Sequence, residues 1–413
     1  MGVSKGMGMK YLASTLVMAL ALGGGIGQAK TFKIKAGPEA VPALTLAFEQ
    51  AKGGDKIRIG RGVFELPEGL TLSASSVRVS GAGVAQTVLR FAGQTDGQPG
   101  IRLSGTQVQL RGFVVEDAVN GAILAENGDG YSFSNLEVRF TSPSRLVTAD
   151  GIALTGVRNA LFDTVLVTGA VDGGIVLSQC ENIVIRSSKA EQNGAGLVLE
   201  NTKKVDVYDN AFSNNGVGLA VIQMPQTPGD AGIVRIFRNQ IEANDLRVRA
   251  ASLLGMGVPP SVGVLLLAVH DVHIFQNTIG QHGGANMVML SSGAQPVSPD
   301  QIPVTYNIVA HDNVFGRSGF APQGTFATLQ QRGYTIGDIL WDGVESYGKG
   351  AALRTLPVRI EFANNTKQGG GAISFTNLGI GHASGSLEGA KPSQALPPGG
   401  ASPEPAPVIL PQF

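Results

Sequence analysis

Between Ile152 and Val221 the chain repeats itself every 22 or 23 residues, and each unit carries a Gly-hydrophobic-x-hydrophobic run followed by a second hydrophobic-x-hydrophobic run. Three consecutive units read GIALTGVRNALF (Gly151 to Phe162), GIVLSQCENIVI (Gly174 to Ile185) and GLVLENTKKVDV (Gly196 to Val207). The period places Ile152, Ile175, Leu197 and Leu219 in one column. Alternation within a run turns one residue inward and the next outward, and a fixed period stacks equivalent residues about 4.8 Å apart along one axis. A unit this short cannot bury its own apolar side, so neighbouring units must stack. The pattern predicts an all-β fold, a parallel β-solenoid. With 58 glycines and only 15% charged residues, the composition suits frequent turns and excludes a helical bundle.

A second column extends the register. Ile183, Val205, Val234, Val272, Ile308 and Ile360 stand five residues before Ser188, Asn210, Asn239, Asn277, Asn313 and Asn365. Five asparagines in register predict a structural ladder, because an Asn at a repeated tight turn can hydrogen-bond the next coil and tolerates left-handed φ. Three residues after the same reference positions come Arg186, Tyr208, Phe237, Phe275 and His311, an expected aromatic stack on one face. Beyond Val205 the interval widens to 29, 38 and 36 residues. The surplus must leave as loops at Pro225 to Ala231, Asn244 to Pro260 and Gly293 to Pro303, with a longer departure from Phe320 to Leu356. Such insertions are expected to gather on one face, often the binding face.

The two ends read differently. Lys5 and Lys10, an apolar run from Leu12 to Leu22 and a small-residue exit at Gly27-Gln28-Ala29 predict a signal peptide over residues 1–29, cleaved after Ala29, and a periplasmic or extracellular protein. The apolar run is too short to span a bilayer, so no transmembrane segment is expected after its removal. The remaining chain carries 29 basic and 31 acidic residues, a net charge of −2 that does not favour nucleic acid. Cys180 stands alone and reads as structural. Leu44, Leu46, Ala47 and Ala51 lie at helical spacing and predict a helix from Pro42 to Ala51 that caps the first coil of a solenoid running over 30–383. Residues 384–413, rich in Pro, Gly, Ser and Ala, predict a flexible tail or a loosely attached strap.

VPALTLAFEQAKGGDKIRIGRGVFEL near the N-terminus, then VRVSGAG and the coil repeats, resembles the right-handed parallel β-helix superfamily of pectate lyases, polygalacturonases and alginate epimerases. DGGIVLSQCENIVIR, GLVLENTKKVDVYDN and the later WDG resemble a group of secreted parallel β-helix repeat proteins. The resemblance implies a single-stranded, right-handed β-helix. It also implies a polysaccharide or other extended polymer as partner, with lyase, epimerase or glycoside hydrolase chemistry within the range of the fold. Asp172, Gln179, Glu200, Asn201, Trp341 and Asp342 match the group's pattern, and the last five are the expected substrate contacts. Ala153, Val176, Val198 and Ala220 depart from it, because outward positions that often carry tyrosine and acids in the group are apolar here.

Two constellations can carry chemistry. Asp150 and Asp172 precede the equivalent residues Ile152 and Ile175 in adjacent coils, so stacking would bring two carboxylates together, as glycoside hydrolysis requires. Both are followed by Gly, and Asp-Gly is equally a favoured turn. His273 stands in the outward column of Arg235 and Asp206, where an imidazole base and a guanidinium would serve proton abstraction beside a uronate carboxylate. The same three residues equally form a cross-coil charge ladder. Trp341 would stack on a sugar ring or cover the core. No His or Cys pair has zinc spacing and no cofactor is expected; calcium would have to be assembled from Asp150, Asp172 and Glu200. These residues predict a secreted monomer that binds a polysaccharide along the face carrying the inserted loops. The alternative is a non-catalytic envelope scaffold in which the solenoid is a rigid spacer.

Overall fold

The structure, a computed structural model, describes residues 29–141, 149–245, 260–293, 301–388, 390–397, 399–400 and 402–412. The expected signal peptide, most of the loop from Asn244 to Pro260 and much of that from Gly293 to Pro303 lie outside the described residues.

Each coil lays down three strands. In one coil they are Lys203–Tyr208, Ala211–Ser213 and Val217–Ile222, and the equivalent strands of successive coils pair in parallel. These stacks form faces 1, 2 and 3 of a right-handed parallel β-helix. Face 3 is an 11-stranded sheet, and faces 1 and 2 merge into a 21-stranded sheet. They merge where a single strand, Asp129–Arg139 or Arg158–Thr168, runs through both. On face 3, Ile152, Ile175, Leu197 and Leu219 pair in unbroken register and are buried, as the repeat predicts. On face 1, Ile183, Val205, Val234, Val272, Ile308 and Ile360 do the same. Each such side chain contributes about 1.5–3 kcal/mol on full burial, so the repeated column holds the coils together.

The corner between faces 1 and 2 carries the asparagine ladder. Asn239 Oδ1 accepts from the backbone N–H and the Nδ2 of Asn210, and Asn239 Nδ2 reaches back to the carbonyl of Val207. Asn277, Asn313 and Asn365 repeat this pattern coil by coil. The left-handed φ belongs to the preceding residue instead: Asp209, Arg238, Gln276, Asp312 and Asn364 lie between 53° and 55°. The Asn itself supplies hydrogen bonds along the axis to a corner whose backbone groups no sheet can satisfy.

Helix α1 (Ala40–Gln50) closes the first coil by burying Ala40, Leu44, Ala47 and Phe48. It starts two residues before the expected position, and Phe48 takes the buried place expected for Leu46, which is 48% exposed.

The inserted loops depart from expectation. They leave at both edges of face 3, between faces 2 and 3 at 316–338 and between faces 3 and 1 at 223–231 and 342–359. Helix α2 (Gly324–Gln331) buries Phe326 and Leu329 against the outward residues Val198, Ala220, Leu265, Val288 and Leu340 of face 3. The apolar outward column is thus the floor of a second core. Face 3 in this half is closed by the loops rather than displayed by them.

Candidate functional site

Face 1 carries the charged column that the sequence singles out. Its outward column runs Val184, Asp206, Arg235, His273, Val309 and Glu361. Beside it runs the predicted stack: ring centroids of Tyr208, Phe237, Phe275 and His311 follow at 4.9, 4.9 and 5.0 Å. The 4.8 Å strand spacing sets this interval, and near-parallel rings tile the face as a continuous apolar strip.

Although outward, the charged column is buried, because the C-terminal segment is laid over it. The backbone N–H of Ser402 and its hydroxyl donate to Glu361 Oε2 at 3.0 and 2.8 Å. The Glu404 carboxylate lies 3.6 Å from Arg235 and 4.0 Å from His311, and the Val408 N–H donates to Asp206 Oδ2 at 3.1 Å. Residues 402–412 include four prolines, which hold an extended backbone at low entropic cost and need no ladder hydrogen bonds. This stretch is a strap along the helix axis.

Beneath the strap, Arg235 grips Asp206 through two hydrogen bonds of 2.8 and 2.5 Å and lies 5.1 Å from the Phe237 ring centre. Those partners consume its guanidinium, which is the charge-ladder role. His273 is 5% exposed, its Nδ1 has no partner, and burial pulls its imidazole below the ordinary value, so it is neutral at pH 7. Among the described residues of this column, it is the one with a buried side-chain nitrogen that has no hydrogen-bond partner.

Asp150, Asp172 and Glu200 are drawn into mutual electrostatic reach. Burial pushes Asp150 up to about 6, against a hydrogen bond from the Gly173 N–H at 2.9 Å and with added repulsion from Asp172 and Glu200. Burial also raises Glu200, with Asp172 adding to it and the Ser178 hydroxyl opposing. Asp150 can therefore hold or release a proton near neutral pH, while its bond to Gly173 performs the turn role. Among the described residues no group of three or more His, Cys, Asp and Glu side chains is placed to hold a metal ion.

The remaining expected contacts are occupied by the chain itself. Asn201 Nδ2 donates to the carbonyls of Met224, Thr227 and Gly229, and Gln179 Nε2 donates to that of Pro228. Both anchor the loop over 224–229 instead of offering free amides to a substrate. Trp341 follows Met289 in the inward register of face 3 and packs in the main core, so it has no ring face to offer a sugar. Asp342 is buried, pushed up to about 6 by that burial, and accepts from the N–H groups of Ser291 and Val344. Cys180 is buried beneath the Leu154 carbonyl and its thiol is pushed up to about 11, which makes it inert.

One buried row was missed from sequence. Asn193, Asn215, Asn244 and His282 form a second ladder between faces 2 and 3, through bonds of 3.1, 2.9 and 3.2 Å. Each stands five residues after a member of the first ladder, and the shared intervals of 22, 29 and 38 residues are the signal that reveals it.

Comparison with known proteins agrees with this architecture. Residues 99–295 match the family described as the right-handed β-helix region. No curated protein matches the chain. Among solved structures, it is similar to the A-module of mannuronan C-5 epimerase AlgE4 from Azotobacter vinelandii, with a TM-score of 0.52 and 14% identity over 79% of this chain and 90% of that one. The AlgE6 A-module of the same organism gives 0.53 and 15% over 79% and 89%. The Dettilon tailspike protein gives 0.54 and 12% over 83% and 63%. At these identities the likeness is one of fold.

Proposed function

We propose that this protein acts outside the cytoplasm and binds an extended polysaccharide along face 1 of its β-helix. The observation that carries the reading is the strap: face 1 already holds an extended polymer, residues 402–412, across the coils of Glu361, Arg235 and Asp206. Once uncovered, a row of charged groups suits a sugar chain, whose hydroxyls need polar partners, and the edges of the stacked rings beside it offer apolar surface to its C–H groups. The epimerases that share the fold act, by their name, on mannuronan, which supports a polysaccharide as the class of polymer. Export is supported by the charged, apolar and small-residue succession before Ala29. Among the described residues no helix is long and apolar enough to cross a membrane.

The scaffold reading is favoured by one observation, the consumption of Arg235 by Asp206 and Phe237. Retention on immobilised polysaccharides, acidic and neutral, separates the two readings. We expect the full chain to be retained on at least one polymer, and a chain ending before Gly399 to be retained more strongly because face 1 is uncovered. Retention of neither form would leave the scaffold. Following unsaturated ends, reducing ends and C5 exchange on the retained polymer tests for turnover, and Asp150→Asn and His273→Ala assign any turnover to one site or the other.

A further inference from the structure

The N-terminal half of face 1 differs from the half beneath the strap. One outward column there runs Lys33, Arg58, Ser80 and Arg111, and its neighbour runs Lys56, Arg78 and Gln109. Five of these seven positions are cations and none is an acid. All five are at least partly exposed.

Elsewhere the chain neutralises cations across its coils. Arg90 meets Glu65 and Glu116, Arg186 meets Asp163, Lys204 meets Glu181, and Arg238 meets Asp209. Among the described residues, none of Lys33, Lys56, Arg58, Arg78 and Arg111 has an ion pair. Lys56 and Arg78 are moreover direct partners on adjacent strands, an arrangement of like charges that opposes folding. Five neighbouring cations without an ion pair, in a molecule that pairs several others across its coils, call for anions from outside.

The shape agrees with the charge. Lys56, Arg58, Arg78, Ser80, Gln109 and Arg111 line a shallow depression of about 240 Å³. A second depression beside it is lined by Arg78, Gln109 and the strap's Gln412, so the groove runs on toward the strap. Cations separated by whole coil spacings along one axis suit a linear polymer bearing an anionic group on successive units. Neither column carries an aromatic residue between Lys33 and Arg111. Single-stranded nucleic acid needs such rings for its bases, whereas Ser80 and Gln109 offer hydrogen bonds to hydroxyls.

We propose that this groove is the docking site for an acidic polysaccharide, a polyuronate whose carboxylates pair with Lys33, Lys56, Arg58, Arg78 and Arg111. The proposal rests on polysaccharide binding by face 1 and adds its place and its charge.

The full chain is titrated with polygalacturonate, with an uncharged glucan and with single-stranded DNA at low and high salt. Polygalacturonate is expected to bind best, and increasingly weakly as salt screens the groove. The variant Arg58→Gln/Arg78→Gln/Arg111→Gln is expected to bind it about tenfold more weakly, and Lys33→Gln/Lys56→Gln to weaken it independently. Arg332→Gln, on the loop after α2, is expected to bind unchanged. Unfolding curves of the variants show whether these exposed positions leave the fold intact. Equal binding of the uncharged glucan, or unchanged binding by both groups of variants, would overturn this proposal while leaving polysaccharide binding in place. Preference for DNA would overturn it in favour of a nucleic-acid surface, and no binding of any polymer would overturn both.

Discussion

Replacing Asn239 by Ala is the sharpest test of how this solenoid is held at its corners. The side chain makes four hydrogen bonds: its Oδ1 accepts from the Asn210 N–H and Nδ2 at 3.0 Å each, and its Nδ2 donates to the Val207 carbonyl at 2.9 Å and to Asn277 Oδ1 at 3.0 Å. Two partners keep another bond, since Asn210 Nδ2 still donates to the Ile185 carbonyl and Asn277 Oδ1 still accepts from the residue-239 N–H. The Asn210 N–H loses its acceptor, in a corner where Asn210 and Asn239 are 3% and 1% exposed. One orphaned buried donor costs about 1–3 kcal/mol, and three further lost bonds at about 0.5 kcal/mol each bring the expected loss to about 3 kcal/mol. Asn365→Ala is the internal comparison. It removes the same bonds from Asn313 at the last coil, where Asn365 is itself only half-buried and water can enter the space its side chain leaves, and should cost about 1 kcal/mol. Urea unfolding followed by far-UV circular dichroism reads both values. A loss below about 0.5 kcal/mol for Asn239→Ala, or one no larger than for Asn365→Ala, would refute the reasoning that buried ladder bonds hold the coils.

Further outcomes follow from single groups. Arg235→Ala strands the Asp206 carboxylate in a buried setting and should cost about 3 kcal/mol in thermal or urea unfolding, most of it recovered in Arg235→Ala/Asp206→Ala. Asp150 titrates at about 6 when folded, above its unfolded value, so its contribution to stability is present at acid pH and lost as pH rises through 6. Asp150→Asn should therefore raise the melting temperature at pH 8 and leave it unchanged at pH 4; equal shifts at both would refute the burial argument. Burial lowers His270, but hydrogen bonds of 2.8 Å to Asp230 and Asp271 outweigh it and raise the net value. Its contribution is then full at acid pH and lost as pH rises through the raised value, so Asp230→Asn should destabilise most on the acid side, read by hydrogen exchange over 224–231. Phe326→Ala should cost about 3–5 kcal/mol and uncover face 3 to a hydrophobic dye.

Much of the fold is legible in the chain because a solenoid repeats one local solution. Period-2 alternation and a 22-residue interval assign Ile175 and Leu197 to one column without reference to anything distant, and the five-residue offset to Asn210 or Asn239 is equally local. Even the overlooked Asn193, Asn215 and Asn244 ladder is written in those same intervals.

The site was less legible, because each of its groups is decided by something that comes from elsewhere in the chain. Gln179 and Asn201 have the side chains of a substrate contact, but a loop from 224–229 takes their hydrogen bonds. Trp341 is inward by the parity of its strand, and Val198 and Ala220 are covered by a helix more than a hundred residues later. The column of Asp206, Arg235 and His273 lies in its predicted register, yet it is buried because residues 402–408 come back along face 1, from the coil of Glu361 to that of Asp206, to cover it. Nor does the open row of Lys33, Lys56, Arg58, Arg78 and Arg111 show as a cluster until the coils are stacked, since the early intervals are irregular and net charge averages it away. Sequence by itself determined the repeating backbone and its core, which depend on contacts at a fixed separation. Only the tertiary structure decided which outward positions meet water, because that depends on where non-repeating segments come to rest.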